Sequence, residues 1–284
     1  MMNIEQWRRE GKTFRYGSHK IFYRESGRGE ALLLLHGFPT ASWDWHKIWA
    51  PLADRFHLIA PDFIGFGFSD KPRRYAYSIH DQANLVEDLL ECTGITDYHV
   101  FAHDYGDTVA QELLARSLEG SAKGNLLSVC LLNGGLFPEA HHPRLVQKLL
   151  MSPIGALLAP FLTKKTLAKN FQQIFGPETQ PTDEEIDEFW SLIAHNDGNK
   201  VMPLLIRYMA ERRRFRERWV GALQKAAIPL RLIDGAADPI SGRHLAEHYQ
   251  KLVPNPDVVL LDKIGHYPQT EAPDLVLAHF QEFR

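Results

Sequence analysis

Cysteine is almost absent from this chain. Its 284 residues include only Cys92 and Cys130, too few for a disulfide framework. Cys130 lies in the apolar run LLSVCLLN, where a small buried hydrophobe is expected. Also missing is any stretch near the roughly 18 apolar residues of a membrane-spanning helix. The opening MMNIEQWRREGK is charged and lacks an apolar core, so no secretory signal is expected. No charge dominates: 32 Lys and Arg stand against 35 Asp and Glu, for a net charge of −3. That balance argues against nucleic acid or an anionic membrane as the main partner. There is no internal repeat and no low-complexity segment. With 44% hydrophobic and 24% charged residues, the chain has the balance of a globular protein, and a reducing cytoplasm is its expected location.

Short apolar runs alternate with helical patterns. HKIFYRES (His19 to Ser26) alternates as a strand does. ALLLLHG (Ala31 to Gly37) is continuously apolar and ends in a turn, as a strand buried on both faces should. Arg55 to Phe63, Tyr98 to Asp104, Leu126 to Gly135, Ile228 to Gly235 and Pro256 to Asp262 read the same way. Helical periodicity occupies Ser78 to Cys92, Gly106 to Leu118, Gly242 to Leu252 and Pro273 to Phe283. Strands alternating with helices imply an α/β fold, a mostly parallel, doubly wound sheet. Ligands of such sheets bind at the carboxyl ends of the strands. Between about Phe137 and Lys225 no strand is expected, only helices, one opened by the capping-box pair Thr182 and Glu185. The expected division is therefore a core of 1–136 and 226–284 with an all-helical cap, 137–225, over the sheet's carboxyl edge.

Four segments sit at expected strand ends. In LLLLHGFPTASWDW, His36-Gly37-Phe38-Pro39 follows the first buried strand, and the N–H of Phe38 could face a developing oxyanion. In VFAHDYGDTVAQELL, the small residues Ala102 and Gly106 flank Asp104, as a sharp strand-to-helix turn requires. Either Asp104 or Asp107 would serve as the helix cap, and if Asp107 does, Asp104 is free to enter a pocket. In LIDGAADPIS, Asp234 and Asp238 compete, Asp238 lying on the loop where it could orient a histidine. In DKIGHYPQTEAP, His266 follows the last strand on a Gly-flanked loop. The chain has 14 histidines, so position rather than identity singles this one out. Nucleophile, acid and histidine on successive strand ends follow the order of an α/β-hydrolase triad.

Other signals carry less. GFGFSD places Asp70 where a dinucleotide-binding turn needs its third glycine. ERRRFRERW, broken by Glu211 and Glu217, reads as a solvated helix face. His141-His142 lacks a helical partner four residues away, so no metal is expected.

HGFP, DFIGFGFSDKP, HDYGD, GAADP and GHYPQTEAP resemble the α/β-hydrolase superfamily, in its aspartate-nucleophile branch of epoxide hydrolases and haloalkane dehalogenases. HGFPTASWDWHKIW, LLNGGLFPE, HNDGN and FRERWVGAL extend the likeness, over nearly the whole chain, to the mesoderm-specific transcript group. The resemblance implies Asp104 as nucleophile, His266 as general base, Asp238 as the acid orienting it, and the N–H groups of Phe38 and Tyr105 as oxyanion donors. A carboxylate with an ordinary pKa near 3.9 is ionised at neutral pH and needs no activation. It can attack a saturated carbon and form an enzyme ester; attack on a carboxylic ester would give an anhydride instead. Epoxide hydrolases usually offer two cap tyrosines to the epoxide oxygen. Here the cap has Tyr208, with His195 as the second donor. Dehalogenases hold halide with a tryptophan after the nucleophile and an asparagine or second tryptophan. This chain has Tyr105 and Phe38 at the first two positions and Trp190 in the cap. The basic pair of fluoroacetate dehalogenases is missing, with Tyr105 and Thr108 in that region. HGFP leans toward epoxide hydrolases. Hydrolysis of epoxides is thus the first expectation, dehalogenation the second, and a ligand-binding protein with little turnover the third. Tyr208, Trp190, His195 and His36 are expected to contact a small apolar substrate. No cofactor is implied, and a homodimer is left open.

Overall fold

The computed structural model describes residues 2–284. Eight strands form one sheet in the order β1-β2-β4-β3-β5-β6-β7-β8. They are β1 (Lys12–Tyr16), β2 (His19–Ser26), β3 (Ala31–Leu35), β4 (His57–Pro61), β5 (Asp97–His103), β6 (Asn125–Leu132), β7 (Leu230–Gly235) and β8 (Val258–Leu261). Strand β2 pairs antiparallel with β1 and β4, and all other pairs are parallel. Seven of the eight strands coincide with expected segments, β5 and β6 beginning one residue earlier than expected. The exception is β1: only Phe14 of its five residues is buried, so this edge strand carries little apolar signal.

The centre of the sheet is β5, between β3 and β6, with Leu33 opposite Val100 and Val100 opposite Val129. All of β3 and all but the first residue of β5 are buried, as a parallel sheet covered on both faces requires. Local chemistry explains the flanking helices. Ser78 caps Ile79–Thr93 by accepting from the N–H of Asp81, and Gly94 ends it at φ 72, a left-handed conformation that suits glycine. The charged N-terminus forms a helix, Ile4–Arg9, whose Trp7 is fully buried and packs edge-on against Trp43 and Trp49.

From β6 to β7 the described residues contain helices and no strand. The expected capping box is present: Thr182 Oγ1 accepts from the N–H of Glu185, and Glu185 accepts from the N–H of Thr182. The run from Asn199 to Gln224 breaks into Met202–Leu205, Tyr208–Arg214 and Arg216–Lys225. The last of these lies against helix Tyr105–Glu119, where Arg218 and the indole N–H of Trp219 donate to the buried Glu112. This end of the helical stretch thus packs on a helix of the core. Among the described residues no helix is long and apolar enough to cross a membrane.

Candidate active site

The carboxyl ends of β3, β5, β6, β7 and β8 bring Phe38, Asp104, Asn133, Asp238 and His266 to one edge of the sheet. Asp104 sits between the last residue of β5 and helix Tyr105–Glu119, at φ 46 and ψ −98. A non-glycine residue at positive φ is strained, and such strain gathers at functional turns. The turn tolerates no bulk beside it, because a Cβ on Gly106 would lie 2.3 Å from the carbonyl oxygen of Leu35. Asp104 makes no side-chain cap bond to its helix. Its Oδ2 instead accepts from the N–H of Phe38 at 3.1 Å. Tyr105 is the first helical residue, so its N–H belongs to the set without intrahelical partners. Its ring is buried against Phe63, Phe66 and Tyr208.

His266 Nδ1 lies 2.7 Å from Asp238 Oδ2. Asp238 also accepts from the N–H groups of Ile240 and Ser241, the hydroxyl of Ser241 and the amide of Asn133. Asn133 reaches further: its Oδ1 accepts from Gly235 N at 2.7 Å, tying β6 to β7. The loop carrying His266 is pinned by Glu271, which accepts from the N–H groups of Gly265 and Tyr267, and by the N–H of His266 donating to Ile174 O. Of the competing pair Asp234 and Asp238, the structure places Asp238 on the imidazole.

Burial opposes charge throughout this cluster, and the charges answer one another. Burial alone would lower the pKa of His266, but the charge and hydrogen bond of Asp238, with the charge of Asp104, lift it to about 9. Burial would raise Asp104, yet His266, Arg212 and the N–H of Phe38 hold it below the ordinary carboxylate range. Asp238 is also lowered: burial is outweighed by His266, by Ile240 N–H and by Ser241. In the resting state, therefore, two carboxylates flank an imidazolium.

Arg212 is a site residue the sequence reading missed. The basic run ERRRFRERW is only partly a solvated face. Arg213 and Arg214 are exposed, whereas Arg212 is 3% exposed. Its Nη2 donates to Asp104 O at 2.9 Å and lies 3.5 Å from Asp104 Oδ1; its Nε donates to Thr108 Oγ1 at 2.7 Å. The guanidinium stacks over the ring of Tyr208, 4.5 Å from its centroid. His141 is buried beside it, its pKa lowered to about 3 by burial and by Arg212. A Cβ at Gly135 would meet both side chains.

A cleft of about 700 Å³, open to solvent, lies over this edge. Its walls are mostly apolar, including Phe38, Leu150, Leu167, Phe171 and Trp190, and His266 stands at its base. Asp104, 3% exposed, touches the cleft through Phe38 and His266 rather than lining it. Trp190 lines the cleft as expected for a substrate contact. His36 does not. Its Nδ1 is 2.8 Å from Gly37 O and its Nε2 accepts from Phe63 N at 3.1 Å, so both ring nitrogens serve the loop. His195 packs edge-on against Phe68, away from the cleft walls. Tyr208 is buried behind Phe38, its hydroxyl without a hydrogen-bond partner.

Two further carboxyls, Asp107 and Asp234, are fully buried with no partner. Burial, then the charge of Asp104 for Asp107 and of Asp238 for Asp234, raises both well above the ordinary carboxylate value. Folding therefore favours the protonated form of each. Their contribution to stability is fully present below the unfolded pKa and falls as pH rises toward the folded one. Asp234→Asn cannot ionise. Thermal melts from pH 5 to 8 are expected to show a shallower loss of stability in this variant than in the wild type; parallel curves would mean Asp234 is already ionised.

Fold and site together define a class. The sequence pattern of the family described as alpha/beta hydrolase fold matches residues 30–273, and the chain belongs to that family. Within it, the chain is 46% identical over 284 residues to the mesoderm-specific transcript protein of Mus musculus, covering 95% of this chain and 84% of the mouse protein, and it belongs with that group. Among solved structures, a loop variant of haloalkane dehalogenase DbeA from Bradyrhizobium elkanii superposes with a TM-score of 0.80 at 22% identity, covering 96% of this chain and 95% of the other. The epoxide hydrolase CorEH superposes with 0.78 at 20%, covering 96% and 97%. At these identities the likeness is one of fold.

Proposed function

We propose that the chain hydrolyses small apolar electrophiles through a covalent ester on Asp104, with epoxides as the substrate class. The observation that carries this reading is the pairing of an ionised, strained Asp104 with an imidazole held by Asp238. Asp104 Oδ2 is tied to Phe38 N–H, which leaves Oδ1 to attack carbon as the carbon–oxygen bond of the epoxide breaks. The alkoxide that forms takes its proton from the Tyr208 hydroxyl, and the His266 imidazolium then restores that proton to Tyr208. Ester formation removes the charge of Asp104, one of the influences that raise His266. The imidazole therefore becomes a free base when a base is needed. It then takes a proton from water, which attacks the ester carbonyl while the N–H groups of Phe38 and Tyr105 support the oxyanion.

The helices between residues 137 and 225 act as a cap that supplies the apolar walls, with the last helix also serving as a flank of the core. Tyr208, its hydroxyl unpartnered and its ring on the Arg212 guanidinium, is the proposed donor to the epoxide oxygen once substrate draws it forward. Dehalogenation is the second reading, favoured by Trp190 on the cleft wall, whose indole N–H suits a departing halide.

Repeated turnover in ¹⁸O-labelled water tests the ester. Because water attacks the enzyme's own carbonyl, label is expected in Asp104 after several cycles, read by mass spectrometry of the peptide that contains it. An unlabelled Asp104 in an enzyme that turns over would mean direct attack by water on substrate. Diol from epoxides against halide from alkyl halides then separates the two readings.

A further inference from the structure

The near-zero net charge conceals a local imbalance. Between Glu139 and Glu178 the chain has no acidic residue, but it has Arg144, Lys148, Lys164, Lys165 and Lys169. Six of the eight large hydrophobics exposed among the described residues fall in the same stretch: Leu145, Leu149, Ile154, Leu157, Leu158 and Phe161. Leu157 is 71% and Phe161 78% exposed. Their spacing is helical. Leu145 and Leu149 lie one turn apart on helix Leu145–Met151, and the other four follow at three- and four-residue intervals through Gly155–Leu158 and Ala159–Phe161, so each set shares a face. The inward side of this stretch is the cleft wall, through Val146, Leu150 and Leu162. One segment thus bounds an apolar cleft on its inner side and shows apolar side chains to solvent on its outer side. Contiguous exposure of this kind marks an interaction surface.

We propose that residues 144–169 dock onto an anionic lipid bilayer. The Leu, Ile and Phe side chains enter the boundary between headgroups and acyl chains, while Lys148, Lys165 and Lys169 meet lipid phosphates. These three lysines are exposed and form no ion pair among the described residues; Lys164 is taken by Asp187 at 2.5 Å. Apolar side chains with a basic rim are the composition of an interfacial helix. Charge decides between a membrane and a second copy of this chain. A two-fold self-interface would set the same three unpaired lysines against themselves, in a stretch with no acid of its own, whereas lipid phosphates complement them. Docked this way, the cleft wall lies at the membrane surface, where apolar substrates partition. This inference concerns where the chain binds and does not rest on the Asp104 ester.

Flotation of the full-length chain with vesicles tests it. Binding is expected to vesicles of phosphatidylcholine mixed with phosphatidylglycerol, to weaken at high salt, and to be much weaker on phosphatidylcholine alone. The double variant Leu157→Ser/Phe161→Ser is expected to abolish binding. Lys165→Gln/Lys169→Gln is expected to reduce it by about five-fold per charge removed. Neither pair lines the cleft, so melting temperature and activity on a water-soluble substrate stay unchanged, which separates failure here from failure of the proposed reaction. A folded chain that ignores anionic vesicles overturns the proposal, as does binding indifferent to both variants. A dimer dispersed by Leu157→Ser/Phe161→Ser would assign the patch to self-association instead.

Discussion

His266→Gln protein given excess substrate is expected to halt after one turnover, with the substrate's carbon skeleton bound to Asp104. Glutamine fills similar space but cannot take a proton from water, so the first half of the reaction outruns the second. Loss of general-base help is expected to slow steady turnover by about 10²–10⁴-fold, while ester formation, which depends on an already ionised Asp104, persists. The intact protein mass should rise by that of one substrate, and the peptide containing Asp104 should carry it. A halt with no mass change, or an adduct elsewhere, would remove Asp104 from the role proposed for it. The pH dependence adds a second reading. With Asp104 held below the ordinary carboxylate range, ester formation should be insensitive to pH across the neutral region. Hydrolysis of the ester in the wild type should accelerate as pH rises and His266 gives up its proton.

The second large effect is expected from Asp238→Asn. Every neighbour of this carboxylate is a donor: Ile240 N–H, Ser241 N–H and hydroxyl, the Asn133 amide and the imidazole. An asparagine amide brings two more N–H groups into a nest with nothing to accept them, and either the loop or the imidazole tautomer must yield. A fall in kcat of about 10⁴-fold is expected, the scale seen when a triad carboxylate becomes an amide. A merely destabilised protein would also be slow, so the diagnostic is the profile. Without the Asp238 charge the imidazole pKa drops from about 9 toward its ordinary value, and the pH at which ester hydrolysis accelerates should move down with it. An Asp238→Asn protein that is slow but keeps the wild-type midpoint would mean that Asp238 only holds the loop together.

The sequence disclosed the parts of this molecule that repeat along the chain. Strands buried on both faces are continuous apolar runs, so β3, β5 and β6 were readable, and Thr182 with Glu185 announced a helix start. The order of Asp104, Asp238 and His266 was readable because chain order places them on successive strand ends. What escaped depends on contacts between distant residues. Arg212 looks solvated in a run of three arginines, and only the pitch of Tyr208–Arg214 separates its buried face from Arg213 and Arg214. Asn133 and Glu271 act by bonding backbone N–H groups that folding brings to them, and nothing in their own neighbourhoods signals this. His36 was misplaced for the opposite reason. It adjoins the oxyanion turn in sequence, yet its ring faces the backbone of Gly37 and Phe63. The inert overall charge likewise hid the one-sided stretch from Arg144 to Lys169, because a sum over the chain discards position.

The reacting groups hang from strands encoded on either side of the helical insertion, whereas most of the surface a substrate meets is encoded inside it. Selectivity and reactivity are thus inherited through separate stretches of chain, and an exchange confined to the insertion re-tailors the first while sparing the second. Arg212 breaks this independence. It is a rivet driven from the insertion into the nucleophile's own turn, so a graft that replaces it must bring its own cation or leave Asp104 a weaker acid than before.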